Sequence, residues 1–289
     1  MSKGMNIHLV GVDPQNTFMG NADGSAYQLQ LLNGSAYTAA LPVPGAVDDM
    51  KRAATMIRRV GDKITDIHVT LDSHHRMHIA HPYMWRDANG KPPQPFTIIM
   101  AADVGTIWFA RNPGHQKRLK EYVTNLEATG KFLHCIWPPH GLIGTWQHNV
   151  YQELEDALAE WEIKNMGVVD YVTKGSSVWT EHFGAVMAQV PDPNDPSTQL
   201  NAEFIKTLQE ADMIGFFGEA LSHCVKTTVE QVADNIGDEH VKKMILITDC
   251  MSSVAKAPGT PDFPAIGQQF LADMQARGMT LMTSRDFLA

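Results

Sequence analysis

Short β-rich stretches recur along this chain, several of them nearly continuous apolar runs: 6–13 (NIHLVGVD), 64–72 (ITDIHVTLD), 131–139 (KFLHCIWPP), 168–175 (VVDYVTKG), 212–220 (DMIGFFGEA), 243–249 (KMILITD) and 279–284 (MTLMTS). A strand that is apolar on both faces has to be covered on both, which is the condition of a parallel sheet between helices. Most of the intervening segments have helical spacing, as in Val47, Met50, Ala54 and Ile57, or Val225, Val229, Val232 and Ile236. The alternation predicts a doubly wound α/β fold with a mainly parallel six-stranded sheet and helices on both faces. Proline-rich stretches at 83–130 and 176–203 interrupt the rhythm, and they read as insertions within one domain spanning residues 1–289.

Composition narrows the function classes. The 289 residues are 44% hydrophobic, enough for a large core. Lys plus Arg number 23 against 32 Asp plus Glu, and a net charge of −9 argues against nucleic acid as a partner. No apolar run approaches the roughly 20 residues that span a bilayer, and MSKGMNIHLVGVD lacks the pattern of a leader peptide. The expectation is a soluble cytoplasmic protein acting on a small molecule, without a membrane or nucleic-acid partner. Its oligomeric state, including a homo-oligomer, stays open. Three widely spaced cysteines, Cys135, Cys224 and Cys250, suit reduced thiols better than a disulfide framework.

In open α/β sheets, functional groups collect outside the carboxyl ends of the strands. Asp13 closes the first apolar stretch, Lys174 closes another, and Cys224 stands between a third and the helix that follows. Taken singly, these are an ordinary turn residue, a solvated lysine and a small buried hydrophobe. If they converge, Lys174 and the helix start would favour a thiolate at Cys224 while Asp13 moves its proton, which makes a nucleophile. A second cluster, LDSHHRMHIAHP, places Asp72, His74, His75, His78 and His81 within ten positions, and His140 ends WPPH. Residues two apart on a strand face the same way, so Asp72 and His74, joined by His140 from a neighbouring strand end, can form a three-ligand metal set. A polar histidine-rich loop is the plainer alternative.

These pieces carry a resemblance. VDPQNTF, DSHHRMH, WPPHGLIGT, VTKG, GEALSHCV and LITDCMSS occur in the order found in the isochorismatase-like cysteine hydrolases, and most closely in the nicotinamidases (pyrazinamidases). The resemblance covers most of the chain apart from the two insertions. It implies an amidohydrolase that converts nicotinamide to nicotinate and ammonia through a cysteine thioester, with a place in pyridine-nucleotide salvage. Asp13, Lys174 and Cys224 match the family's catalytic triad, and Asp72, His74 and His140 match its metal ligands. The metal would be one divalent ion, zinc first, with iron or manganese as alternatives. The family's pattern also implies a cis bond between Glu219 and Ala220, an oxyanion hole made by the amides of Ala220 and Cys224, and pocket walls at Phe18 and Trp137.

Thr17, Gly141 and Glu219 depart from that pattern, and a carboxylate at 219 would oppose negative charge developing beside it. His78 and His81 are further candidates for the metal shell. An amidase of the same superfamily with another substrate, and a non-catalytic binding or assembly module, are the rival readings.

Overall fold

Six of the seven apolar stretches pair into one parallel sheet. The computed structural model describes residues 4–289, so the first three residues of the stretch read for a leader lie outside it. The strands are β1 (Ile7–Val12), β2 (Asp66–Asp72), β3 (Asp170–Lys174), β4 (Met213–Gly218), β5 (Met244–Ile247) and β6 (Thr280–Met282), and they lie in the order β6-β5-β4-β1-β2-β3. Every neighbouring pair is parallel. This order reverses direction between β1 and β4, which opens a crevice outside their carboxyl ends. Asp13 follows β1 and Cys224 lies six residues beyond the last residue of β4. On the other side of β1, the register sets Asp72 of β2 opposite Lys174 of β3.

The helices around the sheet are α1 (Ala46–Val60), α2 (Gln116–Ala128), α3 (Gln152–Asn165), α4 (Ala202–Gln209), α5 (Lys226–Asn235) and α6 (Phe263–Ala276), with one extra turn at Asp238–Val241. α1 shows why the periodicity was readable: Val47, Met50, Ala54 and Ile57 are all buried, and the helix packs against α3. Its first turn holds Asp48 and Asp49 and its last holds Arg58 and Arg59, the arrangement that complements a helix dipole.

The stretch 131–139 is not a strand of this sheet. Only His134–Cys135 pair, antiparallel with Ile98–Ile99. Ile136 also bonds to the insertion at 83–130, its carbonyl accepting from Phe96 N–H and its N–H donating to the Thr97 carbonyl. The first excursion thus recruits the stretch into its own small core, where Ile79, Trp85, Leu119, Val123 and Ile136 are buried together. His140 consequently arrives from a loop rather than from a neighbouring strand end. The second excursion carries little regular structure before α4, yet it turns Thr180, Glu181, His182 and Phe183 inward to buried positions.

Candidate active site

Asp13, Lys174 and Cys224 meet at the crevice. The Lys174 ammonium lies 2.8 Å from Asp13 Oδ2, 3.0 Å from Asp72 Oδ1 and 3.6 Å from Cys224 Sγ. It also donates to the His182 carbonyl at 3.0 Å. Asp13 adopts φ 45°, a conformation that few residues besides Gly, Asn and Asp take readily, and its amide donates to Thr70. Thr70 Oγ1 in turn donates to Asp13 Oδ1 at 2.5 Å, which fixes the carboxylate.

The charges are set by burial and mutual contact. Burial works against the ammonium of Lys174, but Asp13 and Asp72 outweigh it and hold its pKa well above the usual lysine value. Burial raises Asp13, which Lys174 only partly offsets. The Cys224 thiol is pushed well above its ordinary range, first by burial and then by the charge of Asp13, with Lys174 pulling the other way. Asp13 lies beside the thiol, placed to accept its proton.

Cys224 sits in a wide helical turn, Leu221–Val225, that leads into α5. The Glu219–Ala220 bond is cis. The Ala220 N–H donates to no described protein acceptor, so it is free to meet an oxyanion. Glu219 points away from this spot. Its Oε2 accepts from the Ser252 amide at 3.2 Å, and its carboxyl neighbours that of Asp49, which Arg52 binds at 2.5 Å. Glu219 Oε1 and Asp49 Oδ2 are both buried with no hydrogen-bond partner among the described residues. Burial and then the neighbouring Asp49 raise the Glu219 pKa well above the usual carboxylate range, and a proton shared between these two oxygens would satisfy both. With its oxygens turned toward Ser252 and Asp49, the carboxyl faces away from the candidate oxyanion hole.

A second set of side chains adjoins the first through Asp72. His74 Nδ1–H donates to the Gly175 carbonyl at 3.0 Å and His140 Nδ1–H to that of Pro138 at 2.9 Å. Both rings therefore turn an Nε2 lone pair toward Asp72 Oδ2, at 3.0 and 3.2 Å. Two imidazole lone pairs and a carboxylate oxygen facing one another with no donor between them repel unless a positive charge joins them. A proton on His74 can supply that charge: against burial, Asp72 raises the His74 pKa, and His74 and Lys174 in turn, again against burial, hold the Asp72 carboxylate well below the usual range. Asp72, His74 and His140 thus fit a divalent cation, with ligand atoms all within 4.8 Å of one another.

The two spare histidines separate clearly. His78 uses both nitrogens, Nδ1 accepting from Ala80 N–H and Nε2 donating to the Thr180 carbonyl, each at 3.2 Å. That argues against the alternative cation set of His74, His78 and Glu181, which proximity alone would allow. His81 instead donates Nδ1–H to the carbonyls of His75 and Arg76 and leaves a buried Nε2 unpartnered, with its ring 5.3 Å from that of His140. Burial drives its pKa to about 2, so that lone pair stays available.

Phe18 and Trp137 line the pocket over Cys224, together with Phe183 and His223. The remaining departures are structural. Gly141 has φ 53°, and a Cβ there would come within 2.6 Å of the Asp72 carbonyl oxygen, so no side chain fits. Its amide donates to Thr17 Oγ1, which explains the hydroxyl at 17. Gly175 is equally restricted, because a Cβ would lie 2.8 Å from the His74 ring. Sequence reasoning missed Glu181 and Phe183. Glu181 Oε1 lies 3.9 Å from His74 Nε2, and its Oε2 is buried without a partner among the described residues.

No protein-family model matches this sequence, and no curated protein matches it. Solved structures do. The chain is similar to a nicotinamidase from Acinetobacter baumanii, with 17% identity and a TM-score of 0.59 over 99% of this chain and 100% of that one. The yeast nicotinamidase bound to the inhibitor nicotinaldehyde gives 17% and 0.58, over 96% and 99%. A Pyrococcus horikoshii pyrazinamidase in complex with zinc gives 15% and 0.51, over 96% and 99%. At these identities the likeness is one of fold, and the fold is that of the isochorismatase-like hydrolases.

Proposed function

We propose that this protein is a cysteine-dependent amidohydrolase acting on a pyridine carboxamide, with nicotinamide the reference substrate. The observation that carries the reading is the convergence of Asp13, Lys174 and Cys224 at the reversal point of the sheet, beside the unpaired Ala220 amide. The fold shared with structures described as nicotinamidases supports it.

Catalysis begins with the thiol proton of Cys224 passing to Asp13 as sulfur attacks the carboxamide carbon. The new C–S bond pushes the carbonyl pair onto oxygen, where the amides of Ala220 and Cys224 receive it. Lys174 remains charged throughout and holds Asp13 in place. Asp13 then returns its proton to the amide nitrogen, the C–N bond breaks, ammonia leaves and a thioester remains. Water gives a proton to Asp13 as it attacks the thioester. The C–S bond breaks, sulfur recovers that proton, and the carboxylic acid departs. A divalent ion held by Asp72, His74 and His140 supplies, when bound, a Lewis-acid contact for a ring nitrogen. Phe18 and Trp137 hold the ring so that its carboxamide faces Cys224.

Ammonia release from nicotinamide and benzamide, with metal content measured, tests the reading. Benzamide offers no ring nitrogen, so its kcat/KM falls on the order of 100-fold. Comparable rates on both amides remove the pyridine specificity and keep the amidase. No release from either overturns the reading.

A further inference from the structure

The pocket over Cys224 encloses only about 20 Å³. A single water needs about 10–15 Å³, so this space holds little more than one, and a ring enters between Phe18 and Trp137 only as the lining side chains part. Next to it lies a cavity of about 180 Å³. Trp137, Phe183 and His223 line both, so the two spaces are neighbours across three shared side chains. The larger space owes its remaining walls to features outside the proposed catalytic set: Ile98 of the first excursion, Phe132 just after α2, and Phe263 and Ile266 of α6.

Resting on the amidohydrolase reading, we propose that the substrate is an extended aromatic carboxamide, whose apolar arm lies in this second cavity and ends in an acidic group at Lys131. The walls are mostly aromatic, with ring centroids 4.8 Å apart for Phe132 and Phe183 and 4.7 Å for His223 and Phe263. Such walls suit an apolar arm, with polar groups restricted to a few points.

His223 supplies one such point. The Ser222 hydroxyl accepts from the Val254 amide and has His223 Nδ1 at 2.9 Å as the acceptor for its own proton. With Ser222 donating to Nδ1, the ring hydrogen is on Nε2, which has no protein acceptor among the described residues. Burial lowers the pKa of this ring to about 3, so the donor is neutral and does not repel a passing cation or demand an anion.

Charge at the mouth sets the end of the arm. Lys226 is committed to Glu230 at 2.8 Å and lies 5.5 Å over the Phe132 ring. The Glu127 carboxylate accepts from the Ala101 amide. Lys131 lines the same cavity, and no ion pair among the described residues includes it. A terminal carboxylate on the arm gives it a partner.

The test compares nicotinamide with nicotinamides carrying a pentyl or a 4-carboxybutyl chain at each free ring position, using metal-loaded protein and ammonia release. At one position the extended amides are expected to exceed nicotinamide in kcat/KM by about tenfold or more, as burial of several methylenes allows. Ile266→Trp fills the cavity from α6 and lowers the extended amides at least about tenfold more than nicotinamide. Lys131→Glu, on an exposed residue, lowers the acid-ended amides by about threefold relative to the pentyl ones. Extended amides slower than nicotinamide at every position, or Ile266→Trp lowering all amides equally, overturn the proposal and leave the amidohydrolase reading intact. Silence on every amide overturns that reading, and this proposal falls with it.

Discussion

β1, β2 and β3 each carry titratable residues at both ends, and the two ends have been settled in opposite ways. At the amino ends, His8 Nδ1 lies 3.0 Å from His68 Nε2, and His68 Nδ1 lies 2.9 Å from Asp170. His8 Nε2 is 3.3 Å from Asp66, close enough for an ion pair but without hydrogen-bond alignment. Both terminal carboxylates are about half exposed, so the chain of bonds runs out into water. At the carboxyl ends, Asp13, Asp72 and Lys174 are sealed, and the Nε2 atoms of His74 and His81 end without a donor or acceptor. The same residue types thus leave one buried nitrogen unpaired at one end, His8 Nε2, and more than one at the other, His74 Nε2 and His81 Nε2, to which Glu181 Oε2 adds a buried oxygen, among the described residues. Unfinished bonding inside a protein is costly, and its concentration at one end marks where a ligand completes it.

The strongest attempt to break this contrast is to delete one member of each end. Cys224→Ala is expected to lower amide turnover by about 10⁵-fold or more. His68→Phe leaves the rate per folded molecule within about twofold. Similar losses from the two variants would erase the distinction.

Metal content sharpens it next. His140→Ala is expected to lose most bound divalent ion, with affinity falling by about 100-fold, whereas His75→Ala and His68→Phe retain it. Elemental analysis after desalting decides the matter, and unchanged metal in His140→Ala removes the ligand assignment.

The Glu219 carboxyl gives a smaller effect. Glu219→Ala strands Asp49 beside Arg52 and is expected to cost about 2–3 kcal/mol in urea unfolding. Glu219→Gln keeps a donor for Asp49 and costs under about 1 kcal/mol. Equal costs would show that the shared proton contributes nothing.

The smallest is a pH slope. Burial, then His68, lowers the pKa of His8 in the folded chain below its unfolded value. The unfolded state therefore binds the proton more readily, and the stability from this group is complete above about pH 6.5 and lost as pH falls. One proton accounts for at most about 1.4 kcal/mol per pH unit. His8→Phe is expected to flatten the acid limb by up to that amount, whatever its absolute stability. An unchanged limb would assign the slope entirely to the other end.

Much of this was legible in the chain itself. MIGFFG and MILI are apolar on both faces and announce buried parallel strands, and the rule that sites gather at strand ends singled out Asp13, Lys174 and Cys224. The stretch 131–139 misled because apolar character reports burial rather than partner. Its backbone bonds go to residue 80, just before the first excursion, and to residue 97 within it, and its partners lie in short irregular segments that no period announces. Glu181 and Phe183 escaped notice for a similar reason, since they lie in an irregular segment where neither a period of two nor one of 3.6 exists to be read.

One carboxylate joins the two halves of the site. Asp72 gives Oδ1 to Lys174 and Oδ2 to the histidines. Two equilibria that share an atom group are reciprocal. Whatever a cation at Oδ2 does to the grip of Oδ1 on the lysine, the lysine does to the grip of Oδ2 on the cation, by the same free energy. Any affinity of this set for a cation is then partly a reading of the charge state of the groups around Cys224. Neither half can be retuned by substitution without moving the other.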